Sequence, residues 1–129
     1  TTSENPVFYI QYAYVRTCSI FEKAESINPE FLNISSDDCK ELSEKEKNLI
    51  KKIVSLKSLL LTINTGNQTH LLAYYTYELA NLFHTYYNSS KAIVDDVQQT
   101  KSNLFIIKIM HQTFKLCFDL MGISSPKKM

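Results

Sequence analysis

The sequence predicts an all-α protein, an antiparallel bundle of four main helices with a long irregular linker between the first and second. Three observations carry that prediction. Two glycines and three prolines among 129 residues starve the tight turns that a sandwich, a barrel or a doubly wound sheet needs. Apolar residues recur at intervals of three and four over most of the chain, which is the period of a helix and not of a strand. Helix-start and helix-stop signals flank the periodic stretches. At this length residues 1–129 make a single domain with one core.

The first helix is expected over about Pro6–Ala24. Asn5 offers an N-cap, and Pro6 takes the first helical position, where its missing N–H costs nothing. Val7, Ile10, Tyr14, Cys18 and Phe21 form its apolar stripe. Ser26 to Leu42, with Pro29, Asn33 and the Ser35-Ser36-Asp37-Asp38 run, reads as an irregular linker with room for a short helical turn. Ser43-Glu44-Lys45-Glu46 is a capping box, in which hydroxyl and carboxylate satisfy orphan backbone donors reciprocally. The second helix that it opens carries Leu49, Ile53, Leu56 and Leu60, and Asn64-Thr65-Gly66 is its candidate left-handed cap. A third helix is expected over about Gln68–Asn88, with Leu72, Tyr75, Leu79, Leu82, Phe83 and Tyr86 facing inward. The fourth, roughly Gln98–Met121, turns Leu104, Ile107, Met110, Phe114, Cys117 and Met121 inward and stops at Gly122.

Charge and motif content exclude several classes of function. Fourteen basic against thirteen acidic residues give +1, too balanced for a protein that grips nucleic acid mainly by neutralising phosphates. Residues 1–42 hold three basic and seven acidic side chains, and residues 43–129 hold eleven and six. Lys45, Lys47, Lys51, Lys52 and Lys57 cluster and read as a solvated helix face. No apolar run approaches the roughly 18 residues of a membrane span, and no signal-peptide pattern leads the chain. A cytoplasmic location is expected, and Thr1 in place of Met points to a processed protein or an excised piece. Cys18, Cys39 and Cys117 form no Cys-x-x-Cys pair and read as free thiols in a reducing compartment. Gly66 and Gly122 cannot make a phosphate loop. His70, His84 and His111 share no ligand spacing with a cysteine or carboxylate pair, so no metal site is expected. Asp37-Asp38 and Asp95-Asp96 read as loop carboxylates near helix starts, not as an acid–base pair. No catalytic residues are expected.

Aromatic residues are the anomaly: eight Tyr and seven Phe, with no Trp. At 100° per residue, Tyr9, Tyr12 and Arg16 share one side of the first helix, nearly opposite its core stripe. Half-exposed tyrosines with wet hydroxyls are one account of them. The other is a platform on which planar groups stack beside a guanidinium. That surface suits unpaired RNA bases, where stacking contributes about 1–3 kcal/mol per base and needs little net charge. Phe83, His84, Tyr86 and Tyr87 repeat the theme at the end of the third helix. Tyr86 belongs to the core stripe, whereas Tyr87 falls off it.

Three segments resemble a known family. They are Asn5-Pro6-Val7-Phe8-Tyr9-Ile10-Gln11-Tyr12-Ala13-Tyr14-Val15-Arg16, the tetrapeptide Tyr77-Glu78-Leu79-Ala80, and Leu116-Cys117-Phe118-Asp119-Leu120-Met121-Gly122-Ile123 followed by Pro126 and Met129. In this order they resemble the C-terminal, DALR-type anticodon-binding domain of class I arginyl-tRNA synthetases. The resemblance implies an anticodon-loop binder, excised from an ATP-dependent arginine–tRNA ligase. It implies that Tyr9, Tyr12 and Arg16 line a pocket for the central cytosine of the anticodon. Phe83 takes the place of an aromatic in contact with that base, Tyr87 that of a second aromatic propping the loop, and Met129 brings the C-terminal tail to the same pocket. Tyr14 stands where the family usually has His, Val15 where a small residue is usual, and Asn103 where an Arg commonly begins the last helix's signature.

The signatures with which class I synthetases activate amino acids do not occur in this sequence. The resemblance therefore implies that ATP and Mg belong to a catalytic domain outside it. The implied partners are an arginine-accepting tRNA, at its anticodon loop, and the catalytic domain of the same polypeptide. A monomeric domain with no membrane contact is expected. Two other readings stay open: a helical protein-interaction module docking through its tyrosine-rich face, and the anticodon domain of another class I synthetase, such as that for cysteine.

Overall fold

A computed structural model describes residues 6–66 and 70–129. It contains α1 (Pro6–Ile27), α2 (Glu44–Val54), α3 (Leu56–Gly66), α4 (His70–Ser89) and α5 (Val97–Met121), with 3-10 turns at Pro29–Leu32 and Ser36–Asp38 between α1 and α2. No strand occurs among the described residues. The fold is the expected four-legged helical bundle, its second leg divided into α2 and α3. The Asn5 cap and the Gln68 start of the third predicted helix lie outside the described residues.

Division of the second leg at Ser55 is a correction to the sequence reading. At the break the Ser55 hydroxyl donates to the Lys52 carbonyl at 2.6 Å, a local competitor of the helical backbone bonds. The capping box forms as expected: the Glu46 amide donates to Ser43 Oγ at 3.2 Å and the Ser43 amide to Glu46 Oε1 at 2.9 Å. Glu46 has a second task. Its side chain is buried, and Oε2 accepts the Tyr86 phenol at 2.9 Å, so the box that starts α2 also ties it to α4. Burial first, and then the Glu46 charge, push the Tyr86 phenol well above its ordinary range. Gly122 ends α5 with φ of 72°, the left-handed cap that glycine permits.

The predicted irregular linker is ordered by its own side chains. Asn28 Oδ1 accepts the Glu30 amide at 3.0 Å, and Asp38 Oδ2 accepts the Ser35 amide at 2.9 Å. Phe31 and Ile34 enter the core. The linker also leans on α5: the Lys40 amide donates to Ser102 Oγ at 3.0 Å, and Gln98 Nε2 donates to the Asp38 carbonyl at 3.0 Å. Asn103, at the position where the family pattern carries Arg, is buried. Its Nδ2 donates to the carbonyls of Lys91 and Ala92 and thereby fastens the α4–α5 connection.

α1 packs against both α4 and α5, which widens its buried face beyond the predicted stripe. Ile10, Ala13, Tyr14, Val15, Thr17, Ile20 and Ala24 are buried. Val7, expected inside, is 44% exposed, and Cys18 and Phe21 are only partly buried. Tyr14 fills its core place by stacking on His111 at 4.8 Å between centroids. The contacts of α1 with α4 advance in step, Tyr9 meeting Asn81 and Arg16 meeting Tyr87. Those with α5 run in reverse, Tyr14 meeting Phe118 and Thr17 meeting His111. Thus α1 lies parallel to α4 and antiparallel to α5, and the groove between α1 and α4 brings their side chains together in register.

Candidate nucleic-acid interface

In that groove the tyrosine face of α1 meets a polar stripe of α4. Tyr9 donates its phenol to Asn81 Oδ1, and its ring lies 5.0 Å from Tyr77 and 4.7 Å from His84, centroid to centroid. Tyr12 stacks on the other side of the site against His84 at 5.9 Å. Arg16 is held from three directions. Its guanidinium carbon sits 4.8 Å from the Tyr12 centroid and 4.2 Å from that of Tyr87, and its Nη1 lies 3.0 Å from His84 Nδ1. Tyr9, Tyr12, Arg16, His84 and Asn88 together line an open cleft of about 250 Å³.

An arginine cannot accept a hydrogen bond. The Arg16 contact therefore makes Nδ1 of His84 the acceptor and leaves the imidazole proton on Nε2. That Nε2 is buried and has no hydrogen-bond partner among the described residues. Burial, and then the adjacent Arg16 charge, lower the His84 pKa, against a smaller opposing effect of the Tyr9 backbone. The Tyr9 phenol moves up, chiefly by burial and then by its neighbour Tyr77, with Arg16 opposing. At neutral pH the site thus sets the Arg16 guanidinium beside an uncharged His84 imidazole and an uncharged Tyr9 phenol.

The His84 shift has a measurable consequence. Below its ordinary value of 6.5 the unfolded chain takes up a proton that the folded chain refuses. The stability due to neutral His84 is complete above that value and drains away as pH falls toward the lowered folded pKa. His111 is shifted down as well, by burial and then by Lys115 and Lys127. The urea midpoint is expected to drop between about pH 7 and pH 5, and to drop less in His84→Gln. Urea titrations at stepped pH measure both.

The structure brings together four of the six expected site residues: Tyr9, Tyr12, Arg16 and Tyr87. Phe83 does not join them. It is 0% exposed and packs edge-on against Phe114 at 6.0 Å, beneath His84 and Tyr87. A side chain sealed there supports the site without reaching into it. Met129 is also absent from the cleft. Gln11 Nε2 holds the tail through Ser124 at 3.1 Å, and Lys127 acts on His111 and Cys18. Gln11 and Cys18 share the side of α1 turned away from Tyr9, Tyr12 and Arg16.

Sequence reasoning did not place Tyr77, Asn81, His84 and Asn88 among the site residues, although it noted His84 in the aromatic cluster beside Tyr87. The signal was available, since these residues recur at intervals of four, three and four, matching one face of a helix. The aromatic residues beside them drew that segment toward the core reading.

Parallel helices that turn tyrosines, a caged guanidinium and an imidazole toward one open cleft define an all-α domain with an aromatic cleft around a single guanidinium. Residues 10–129 match the DALR anticodon binding domain, and the chain belongs to that family. It is 37% identical over 127 residues to an arginine–tRNA ligase of Geotalea daltonii, a match covering 98% of this chain and 23% of the relative. Against an arginine–tRNA ligase of Mycoplasma pneumoniae the identity is 36%, again over 98% of this chain and 23% of the relative. In structure it resembles arginyl-tRNA synthetase from Plasmodium falciparum, with a TM-score of 0.81, 33% identity, and coverage of 94% of this chain and 21% of the other. The chain therefore spans about a quarter of the length of the arginine–tRNA ligases it matches, corresponding to their C-terminal region.

Proposed function

We propose that the chain is the anticodon-loop recognition domain of an arginine–tRNA ligase. In this reading it positions tRNA for aminoacylation carried out, with ATP and Mg, by a catalytic domain of the same polypeptide, in the cytoplasm. The observation that supports it most is the cleft, where Arg16 lies caged by Tyr12, Tyr87 and His84 in a chain of an anticodon-binding family. A flipped-out cytosine has a flat face for Tyr12, and its adjacent O2 and N3 acceptors suit the forked donors of the guanidinium, so the central cytosine of the anticodon fits the chemistry offered. Few phosphates can be neutralised at +1, and stacking is therefore the larger share of binding.

Titrating the 129-residue chain with an arginine-tRNA anticodon stem-loop tests this, with tyrosine fluorescence as the signal. Saturable binding is expected, weakened about tenfold or more when the central cytosine is replaced, the size of one lost charged hydrogen bond. Preference for a cysteine-tRNA stem-loop would move the assignment to that synthetase. The rival reading, a protein partner docked on the tyrosine-rich face, draws on the same surface, where Tyr12 and Tyr87 are exposed. Indifference to every stem-loop would favour that rival.

A further inference from the structure

The groove between α1 and α4 continues past Arg16. Tyr87, whose ring carries the guanidinium, also borders a second pocket of about 370 Å³, shared with Ile20, Lys23, Ser90, Lys91 and Ile93. The register explains why both lysines reach it. Lys23 stands fourteen residues after Tyr9, and at 100° per residue it falls on the side of α1 that carries Tyr9, Tyr12 and Arg16. Lys91 stands fourteen residues after Tyr77, just beyond the end of α4. Three of the other lysines are paired with carboxylates: Lys52 with Glu78 at 2.8 Å, Lys47 with Glu44 at 3.4 Å, Lys115 with Asp119 at 3.6 Å. Lys23 and Lys91 make no ion pair among the described residues. Among the described residues no carboxylate lines the pocket, and the neighbouring Glu22 and Glu25 project about 100° or more away from Lys23 around the helix.

Resting on the reading of the cleft as a base-stacking site, we propose that this pocket is a second nucleotide subsite on the same RNA strand. The nucleotide adjoining the one held at Tyr12 and Arg16 crosses Tyr87 and lays its phosphodiester between Lys23 Nζ and Lys91 Nζ, with the Ser90 hydroxyl as a neutral donor. Two cations and a hydroxyl without a competing carboxylate suit one phosphate, while Tyr87, Ile20 and Ile93 suit the sugar or base attached to it. The site adds a phosphate contact to a chain whose net charge is too small to suggest one.

The test uses the 129-residue chain and a synthetic arginine-tRNA anticodon stem-loop. Lys23→Ala with Lys91→Ala is expected to weaken binding about three- to tenfold at low salt, and to make the plot of log affinity against log salt shallower by about 0.7, one phosphate's worth. The loss is expected to be the same whichever base stands at the centre of the anticodon. A stem-loop carrying a neutral methylphosphonate at the diester on one or the other side of the central nucleotide locates the contact. At one of these diesters it should weaken binding to the unmodified protein and leave the double variant unaffected. Equal losses in both proteins at both diesters, or an unchanged salt slope, would overturn the subsite while Arg16→Ala still impairs binding. Indifference of binding to Arg16→Ala as well would bring down the reading of the cleft, and the subsite with it.

Discussion

Arg16→Ala is expected to weaken binding of the arginine-tRNA anticodon stem-loop by about 1.5–3 kcal/mol, and to erase the preference for a central cytosine. The reason lies in how the side chain is held. An exposed arginine spends much of its binding energy on being ordered, but this one is already flanked by two rings and tied to His84 Nδ1. It meets a base with its donors fixed in place. Arg16→Lys should recover little, because an ammonium has neither the flat face that lies against Tyr12 and Tyr87 nor the forked donors. Isothermal titration of each variant checks this, with the helical circular dichroism signal confirming that the fold survives. Affinity within twofold of the unmodified chain would sink the reading of the cleft.

The elements legible in the sequence were those whose signals are local. The capping box at Ser43 and Glu46 and the glycine stop at Gly122 involve residues within a few positions of one another, and both appear where expected. The Tyr9–Tyr12–Arg16 face was legible because helical projection needs only the sequence. What the sequence hid depends on neighbours from elsewhere. Val7 fits an apolar stripe, but the direction of burial is set by α4 and α5 together, which turn Ala13 and Thr17 inward and leave Val7 in water. The break at Ser55 has no proline or glycine to announce it, and the hydroxyl-to-carbonyl bond found there also occurs at Thr17 inside unbroken α1. His84 was visible as part of the aromatic cluster of the third helix, but its contact with Arg16 exists only because α1 and α4 run parallel, and no local pattern states that.

Phe83→Ala is expected to cost about 3–5 kcal/mol of stability, a large part of the roughly 5–15 kcal/mol that a domain possesses. The ring is fully enclosed and meets Phe114 edge to face, so its removal leaves a cavity that the surrounding rings cannot close. Tyr87→Ala is the contrasting case. That ring is 40% exposed, so little stability depends on it, while Arg16 loses one of the two faces that hold it. Urea unfolding of both variants should show a large loss for Phe83→Ala and a small one for Tyr87→Ala. Stem-loop affinity should fall for Tyr87→Ala, and hold for a Phe83→Leu variant that stays folded. The opposite pattern, stability intact and affinity lost on changing residue 83, would mean that a base reaches Phe83 after all. The adjacent His84 would then be displaced on binding, because in the fold as it stands His84 and Tyr87 cover that ring.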